Sequence, residues 1–253
     1  MLSILSIDTS ASYCSVALKC GAEIRVKRSE KPREHVRLVL PMVEQLLAEA
    51  AVRLPDLDAI TFAQGPGSFT GLRIGFGVVQ GLAFGAQLPV IPVSTLQLMA
   101  QRAFGLLKDV TPATLLIPAL DARMEELYWG AYAVRDGVVQ PVMDDALSPR
   151  EKLILPDAVW SNFLEDKPDL CTATPVLGMG DGWQYRPELV CEKGSLDSIE
   201  IHEKIGPDAE ALLLIAEHIY RQRGGRAIED VQPVYLRNTV SWKKRTRLKK
   251  ADT

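Results

Sequence analysis

Apolar positions recur along the chain with two different periods, and the changes of period mark out its elements. ILSID (residues 4–8) is a near-continuous apolar run ending at Asp8, which predicts a buried strand, with Thr9 and Ser10 turning the chain. CSVALK and EIRVKRS alternate as two further strands of a meander that turns at Cys20-Gly21-Ala22. From Glu34 to Ala51 the period becomes helical, with Val36, Val39, Leu40, Val43, Leu47 and Ala50 on one face and Leu38, Met42 and Leu46 widening it. Pro41 inside that pattern predicts a kink or a break, because its ring removes an internal hydrogen bond.

The most distinctive stretch, DAITFAQGPGSFTGLRIGFGVVQGLAFG, runs from Asp58 to Gly85. Ala59 to Ala63 reads as a strand, Gly65-Pro66-Gly67 as a forced turn, and Ser68 or Thr70 as the cap of a helix reaching Gly85. After the cap, Arg73 and Gln80 are its only polar side chains. At about 100° per residue, Gly71, Gly75, Gly77, Gly81 and Gly85 share one broad arc with Ile74, Val78 and Leu82. Leu72, Phe76, Val79 and Ala83 fill the neighbouring arc. Such a helix must be covered by its sheet, by another helix or by another chain. Each glycine costs ~1 kcal/mol against alanine, so close backbone approach is the expected compensation. A membrane span needs ~20 apolar residues, and this run reads as too short and too interrupted. Pro89 to Val93 then predicts a strand, and Ser94 caps a helix through Phe104.

A second half repeats this order of features. LLIPALDAR restates the strand ending in Asp, with Asp121 matching Asp8; ELYWGAYAV and GVVQPVMDD supply two strands, and PDAVWSNFLED a helix. TPVLGMGDGW restates a strand entering a Gly-x-Gly turn. Residues 184–206 have no clear periodicity, whereas Pro207 to Arg223 has every mark of a helix: Pro207 at its start, Asp208 and Glu210 in its first turn, Gly224 beyond. The pattern predicts an α/β fold in two halves: residues 1–107 with 207–230, and residues 108–206, followed by a C-terminal segment, 231–253.

Composition adds three points. The 253 residues suit one large domain or two modest ones, and nothing basic precedes the first strand as in a signal peptide, so a cytoplasmic location is expected. The four cysteines show no CxxC pairing. The net charge of −3 is uneven, because residues 237–253 carry seven Lys or Arg against one Asp.

The segments LSIDTSASYCSVAL, GPGSFTGLRIG, LPMVEQLL and DARMEELYWGAY together resemble the TsaB (YeaZ) family over most of residues 1–135, and the resemblance returns at QPVYLR. It implies an actin-like (ASKHA) fold of two duplicated RNase H-like halves. It also implies a non-catalytic role in making threonylcarbamoyladenosine in tRNA. The partners implied are a TsaD-type paralogue that carries the metal and the transfer chemistry, and a TsaE-type ATPase. tRNA would be met through the complex. No tightly bound cofactor is expected, though ATP or ADP could sit at the complex interface.

The candidate residues fit that role. Where the catalytic paralogue carries HxxxH, this chain has IPVSTLQLMA with no histidine, so no metal site is expected and the alternative of a metallopeptidase-like enzyme loses its ligands. An ATP-dependent enzyme is the other alternative; Asp8-Thr9-Ser10 lacks the glycine that many such relatives place after this Asp. Asp8 and Asp121 read either as caps of their own turns or as an acid/base pair across a cleft. His35 reads as solvated or capping, and His218 as a core histidine. Gly65, Gly67, Ser68, Thr70 and Arg73 form either a structural turn or an anion contact at a helix start. Val36, Val39, Leu40, Val43, Leu47, Leu72, Gly75, Phe76 and Val79 are the expected partner surface, able to pair with a copy of itself when the paralogue is missing. Lys243, Lys244, Arg245 and Arg247 form either a solvated tail or a tRNA contact.

Overall fold

The first strand, β1 (Ser3–Asp8), lies at the centre of a five-stranded sheet. A computed structural model describes residues 2–29, 31, 34–156, 175–191, 194–195 and 199–237. β1 pairs antiparallel with β2 (Cys14–Cys20), which pairs antiparallel with β3 (Glu23–Ser29) across the tight turn at Gly21. On its other side β1 runs parallel to β4 (Ala59–Gly65), and β4 parallel to β5 (Val90–Ser94). The order is therefore β3-β2-β1-β4-β5. Both faces of β1 are buried, which explains its continuous apolar run.

Helices α1 (His35–Ala50) and α2 (Phe69–Ala86) cover one face, closing a core of Leu5, Ile7, Val16, Val39, Val43, Leu46, Phe62 and Val79. α1 runs unbroken through Pro41. Pro41 and Arg37, whose carbonyl loses its helical partner, both face solvent, where water can replace the missing bond. α3 (Thr95–Leu106) follows β5, capped by Ser94 Oγ, which accepts from the amides of Leu96 and Gln97. On the opposite face lies α4 (Ala209–Arg223). Two strand serines pin its start: Ser6 Oγ donates to the Ala209 carbonyl at 2.7 Å, and the Ala209 amide donates to Ser15 Oγ at 2.9 Å. The α4 cap, Asp208, is buried and takes Arg28 from β3 through both oxygens.

The second sheet repeats the first. Its central strand, β6 (Leu115–Arg123), pairs antiparallel with β7 (Glu126–Trp129) and, further along, with β8 (Tyr132–Arg135). β7 and β8 thus stand as two sections where the first sheet has β2. β9 (Val138–Pro141) and β10 (Ala146–Pro149) flank them as β3 flanks β2. β12 (Val176–Met179) runs parallel to β6, and β15 (Ile199–His202) parallel to β12. The order matches the first sheet strand for strand, which establishes two duplicated RNase H-like halves in an actin-like fold. In place of α2 stands a short 3-10 turn, Asp181–Tyr185. Trp183 from that turn covers the sheet, its Nε1 donating to the Ile117 carbonyl at 2.8 Å. β11 (Lys152–Ile154), β13 (Glu188–Cys191) and β14 (Gly194–Ser195) form a small third sheet within residues 150–195. The helix expected over PDAVWSNFLED lies outside the described residues except at its first position. Among the described residues α2 alone is long and apolar enough to cross a membrane, contrary to the reading that the run is too short; here its inner face is built into the first core.

Candidate partner surface and glycine loop

The glycine loop is closed by its own chain. The Ser68 amide donates to the Ser10 carbonyl at 2.8 Å, and a Cβ on Gly67 would stand 2.6 Å from that same oxygen. A Cβ on Gly65 would meet the Val234 carbonyl at 2.6 Å. The Ser68 side chain caps α2 by accepting from the Gly71 amide. Arg73 lies 3.9 Å over the Phe69 ring and donates to the Tyr235 hydroxyl. Of the five residues expected to hold an anion, then, Gly65, Gly67 and Ser68 are engaged in packing and capping, and Arg73 is stacked. Ser68, Thr70 and Arg73 are all exposed. The bonds and close contacts that the loop makes with the 8–10 turn and with Val234 are those of a structural turn.

Asp8 and Asp121 each cap their own turn. Asp8 Oδ1 accepts from the Ser10 amide at 2.9 Å and the Ser10 hydroxyl at 2.6 Å, and Asp121 Oδ1 accepts from the Arg123 amide at 2.8 Å. Burial pushes the Asp8 carboxyl up to about 6, against the two Ser10 bonds, and its Oδ2 is buried with no partner. His35 is buried at the head of α1 rather than solvated, and burial lowers its pKa against a hydrogen bond with the Ala11 backbone. His218 is half-buried beside Gln222 rather than in the core. No group of three or more His, Cys, Asp or Glu among the described residues could hold a metal ion.

The α1–α2 surface divides differently from the sequence expectation. Val39, Val43, Leu72, Gly75 and Val79 belong to the first half's own core and cannot meet a partner. Leu47 and Phe76 are half-buried against that core. What remains outward is Val36 (69 % exposed) and Leu40 on α1, with Phe69 and Phe84 (70 % exposed) on α2. The glycine arc splits as well. Gly71 and Gly75 face Thr9, whereas Gly77, Gly81 and Gly85 face open space, with nothing within 4 Å of an added Cβ. The tail residues Lys243, Lys244, Arg245 and Arg247 lie outside the described residues.

One cluster escaped the sequence reading. Ser94, from the first half, donates to Asp145 Oδ2 at 2.5 Å, and the Tyr132 hydroxyl donates to Asp145 Oδ1. Burial pushes the Asp145 carboxyl up to about 6 against those two bonds. A Cβ on Gly130 would stand 2.8 Å from both Asp145 Oδ1 and the Tyr132 ring, so a larger residue there would push the cluster's side chains aside. The cluster ties β5 of one half to β8 and the approach to β10 of the other. Nothing in the order of residues pairs positions so far apart.

Comparison with known proteins gives these observations a context. The family model for TsaD, tRNA N6-adenosine threonylcarbamoyltransferase, matches residues 28–237. The tRNA threonylcarbamoyladenosine biosynthesis protein TsaB of Escherichia coli is 38 % identical over 95 % of this chain and 97 % of its own length. Its namesake from Haemophilus influenzae is 35 % identical over 96 % of this chain and 97 % of its own. A tRNA N6-adenosine threonylcarbamoyltransferase from Chromobacterium violaceum matches only 65 residues, 19 % of its length. YeaZ from Pseudomonas aeruginosa superposes with a TM-score of 0.79 at 37 % identity, over 93 % of this chain and the whole of that one. Near-full-length agreement of sequence and structure in both directions shows that this chain belongs to the TsaB family.

Proposed function

We propose that the chain is a non-catalytic partner subunit in forming threonylcarbamoyladenosine in tRNA, docking on a TsaD-type paralogue that performs the transfer. The observation that carries this reading is the outward apolar seam of α1 and α2: Val36, Leu40, Phe69 and Phe84 beside the open stripe Gly77, Gly81, Gly85. A bare glycine stripe lets a partner helix approach to short interaxial distance, and flanking aromatics supply the anchors. The glycines lower helix stability in the isolated chain, a cost that docking offsets. A second copy of this chain presents the same seam and competes for it when the paralogue is missing. In this reading the chain works in the cytoplasm, holds no nucleotide in its own glycine loop, and leaves ATP or ADP to the interface with the paralogue and a TsaE-type ATPase. The test is reconstitution: the chain, the paralogue and the ATPase are incubated with unmodified tRNA, a pre-formed activated threonylcarbamoyl donor and ATP. Modified adenosine should form only when this chain is present. Equal product without it would reject the reading.

A further inference from the structure

Phe69, Arg73 and Tyr235 form a three-membered stack at one end of the outward seam. The Arg73 guanidinium lies 3.9 Å over the Phe69 ring. The Tyr235 ring packs on the same phenylalanine, with centroids 5.4 Å apart and planes tilted by 50°. Arg73 Nε donates to the Tyr235 hydroxyl at 3.4 Å, which closes the triangle. All three side chains stay exposed, Phe69 at 56 % and Tyr235 at 40 %. Phe69 and Arg73 are four residues apart on α2, so the helix itself brings them together. Tyr235 comes from a strap, residues 231–237, that is tied at both ends. At one end Val231 is buried in the first core, the Val234 amide donates to the Gln64 carbonyl at 2.9 Å, and Gln64 Nε2 donates to the Gln232 carbonyl at 2.6 Å. At the other, Arg237 pairs with Glu126 and donates to the Arg123 carbonyl at 3.1 Å. The stack is therefore set in place before any partner arrives.

What the stack lacks is a carboxylate. Other exposed arginines have one: Arg53 pairs with Asp56, Arg123 with Asp121, Arg186 with Glu203 and Arg221 with Glu217. Arg73 is the only charged residue of α2, and no acid among the described residues reaches it. Its two terminal nitrogens keep their N–H groups for another molecule. On the outward side of α1 stand Arg37 and Glu44, neither of them in an ion pair among the described residues, whereas Glu49 is paired with Lys27. Two copies of this chain meeting through the seam would bring together two Arg37 and two Arg73 against two Glu44. That surplus of positive charge disfavours self-pairing, and a partner with an additional acid removes it.

Resting on the docking reading above, we propose that Arg73, aligned by Phe69 and Tyr235, selects the TsaD-type paralogue over a second copy of this chain by taking a carboxylate of the paralogue. A guanidinium offers two parallel N–H donors that match a carboxylate, and stacking on an aromatic ring holds its plane without using them. An arginine already held in place loses little side-chain freedom on binding. The apolar seam around it excludes water from the pair, so removing the arginine leaves the paralogue's carboxylate covered and unpaired.

The experiment measures two associations of the full chain: with the TsaD-type paralogue from the same cell, by titration calorimetry, and with itself, by sedimentation equilibrium. Arg73→Leu should weaken paralogue binding by about tenfold or more, as truncating one partner of a covered charge pair does, and leave self-association unchanged or stronger. Arg73→Lys should recover only part of the loss, because a point charge has no planar fork. Tyr235→Ala should weaken paralogue binding severalfold, and should add little when combined with Arg73→Leu, because the tyrosine acts through the arginine. Circular dichroism must match the parent for each variant, and Arg73→Gln serves if Arg73→Leu does not fold. Parental affinity for the paralogue in a folded Arg73 variant overturns the proposal. So does equal weakening of both associations, which would make Arg73 an ordinary packing residue, and so does simple additivity of the two substitutions. Phe84→Asp, measured alongside, separates this inference from the reading it rests on. Binding lost with Phe84→Asp but kept with Arg73→Leu rejects the inference alone, whereas parental affinity in both rejects the seam as well.

Discussion

Thr9 lies against α2 so closely that a Cβ on Gly75 would stand 2.2 Å from the threonine Oγ1. The same hydroxyl donates to the Gly71 carbonyl at 2.8 Å, and a Cβ on Gly71 would meet the Thr9 carbonyl at 2.0 Å. Two of the helix glycines therefore exist to let the turn after β1 lie on the helix backbone.

The two glycine sets should respond to alanine in opposite directions. Gly71→Ala or Gly75→Ala forces overlap with the 8–10 turn and should destabilise by about 2–3 kcal/mol, as overpacking in a close-packed site does. Gly81→Ala adds a methyl to open space and should stabilise by up to about 1 kcal/mol, through helix propensity. Urea unfolding of the three variants checks both signs.

Asp8 gives a pH signature. Its pKa rises from 3.8 to about 6 on folding, chiefly by burial, so the unfolded state loses this proton first as pH rises. Folding stability attributable to Asp8 is therefore highest below pH 4, falls between about pH 4 and 6, and is flat above. Asp8→Asn keeps an oxygen for Ser10 without the buried charge. It should raise stability at pH 8 by about 1–3 kcal/mol, and the gain should shrink toward zero near pH 4. Chemical denaturation of both proteins at several pH values reads the difference directly.

The Ser94–Asp145–Tyr132 cluster should couple the two halves. Tyr132→Phe leaves a buried carboxylate oxygen short of a donor and should cost about 1–3 kcal/mol. Calorimetry should then show a lowered or broadened transition, whereas an unchanged single peak would mean that the cluster carries no coupling.

At the cap of α4, Arg28→Met strips the buried Asp208 of its charge partner while keeping the stem that packs against the sheet. Arg28 is itself 45 % exposed, which discounts the loss to about 1–2 kcal/mol. Amide exchange should report faster opening in α4 than in α1.

The order of strands and helices was legible because each first-half element carries its own signal: the apolar run of β1, the Gly-Pro-Gly turn, the caps at Ser94 and Asp208. The repeat was legible in LLIPALDAR for the same reason. Residues 184–206 were not, because strands of two to four residues are too short to show a period. The direction each glycine faces was also hidden. A helical wheel orders Gly71, Gly75 and Gly81 on one arc, but only the fold reveals that Thr9 occupies half of that arc. For Val39, Val43 and Val79, apolar spacing marks a covered face without saying which chain covers it. The Asp145 cluster depends on how the halves pack, which no local pattern encodes.

The most direct test of the account is the affinity between this chain and a TsaD-type paralogue from the same cell, measured by calorimetry on the parent, Gly81→Leu and Phe84→Asp. Both positions face open solvent, so circular dichroism should stay unchanged in each variant. The account predicts that both variants bind at least about tenfold more weakly, as loss of a central anchor does. Parental affinity in both folded variants would contradict it and place the partner surface elsewhere.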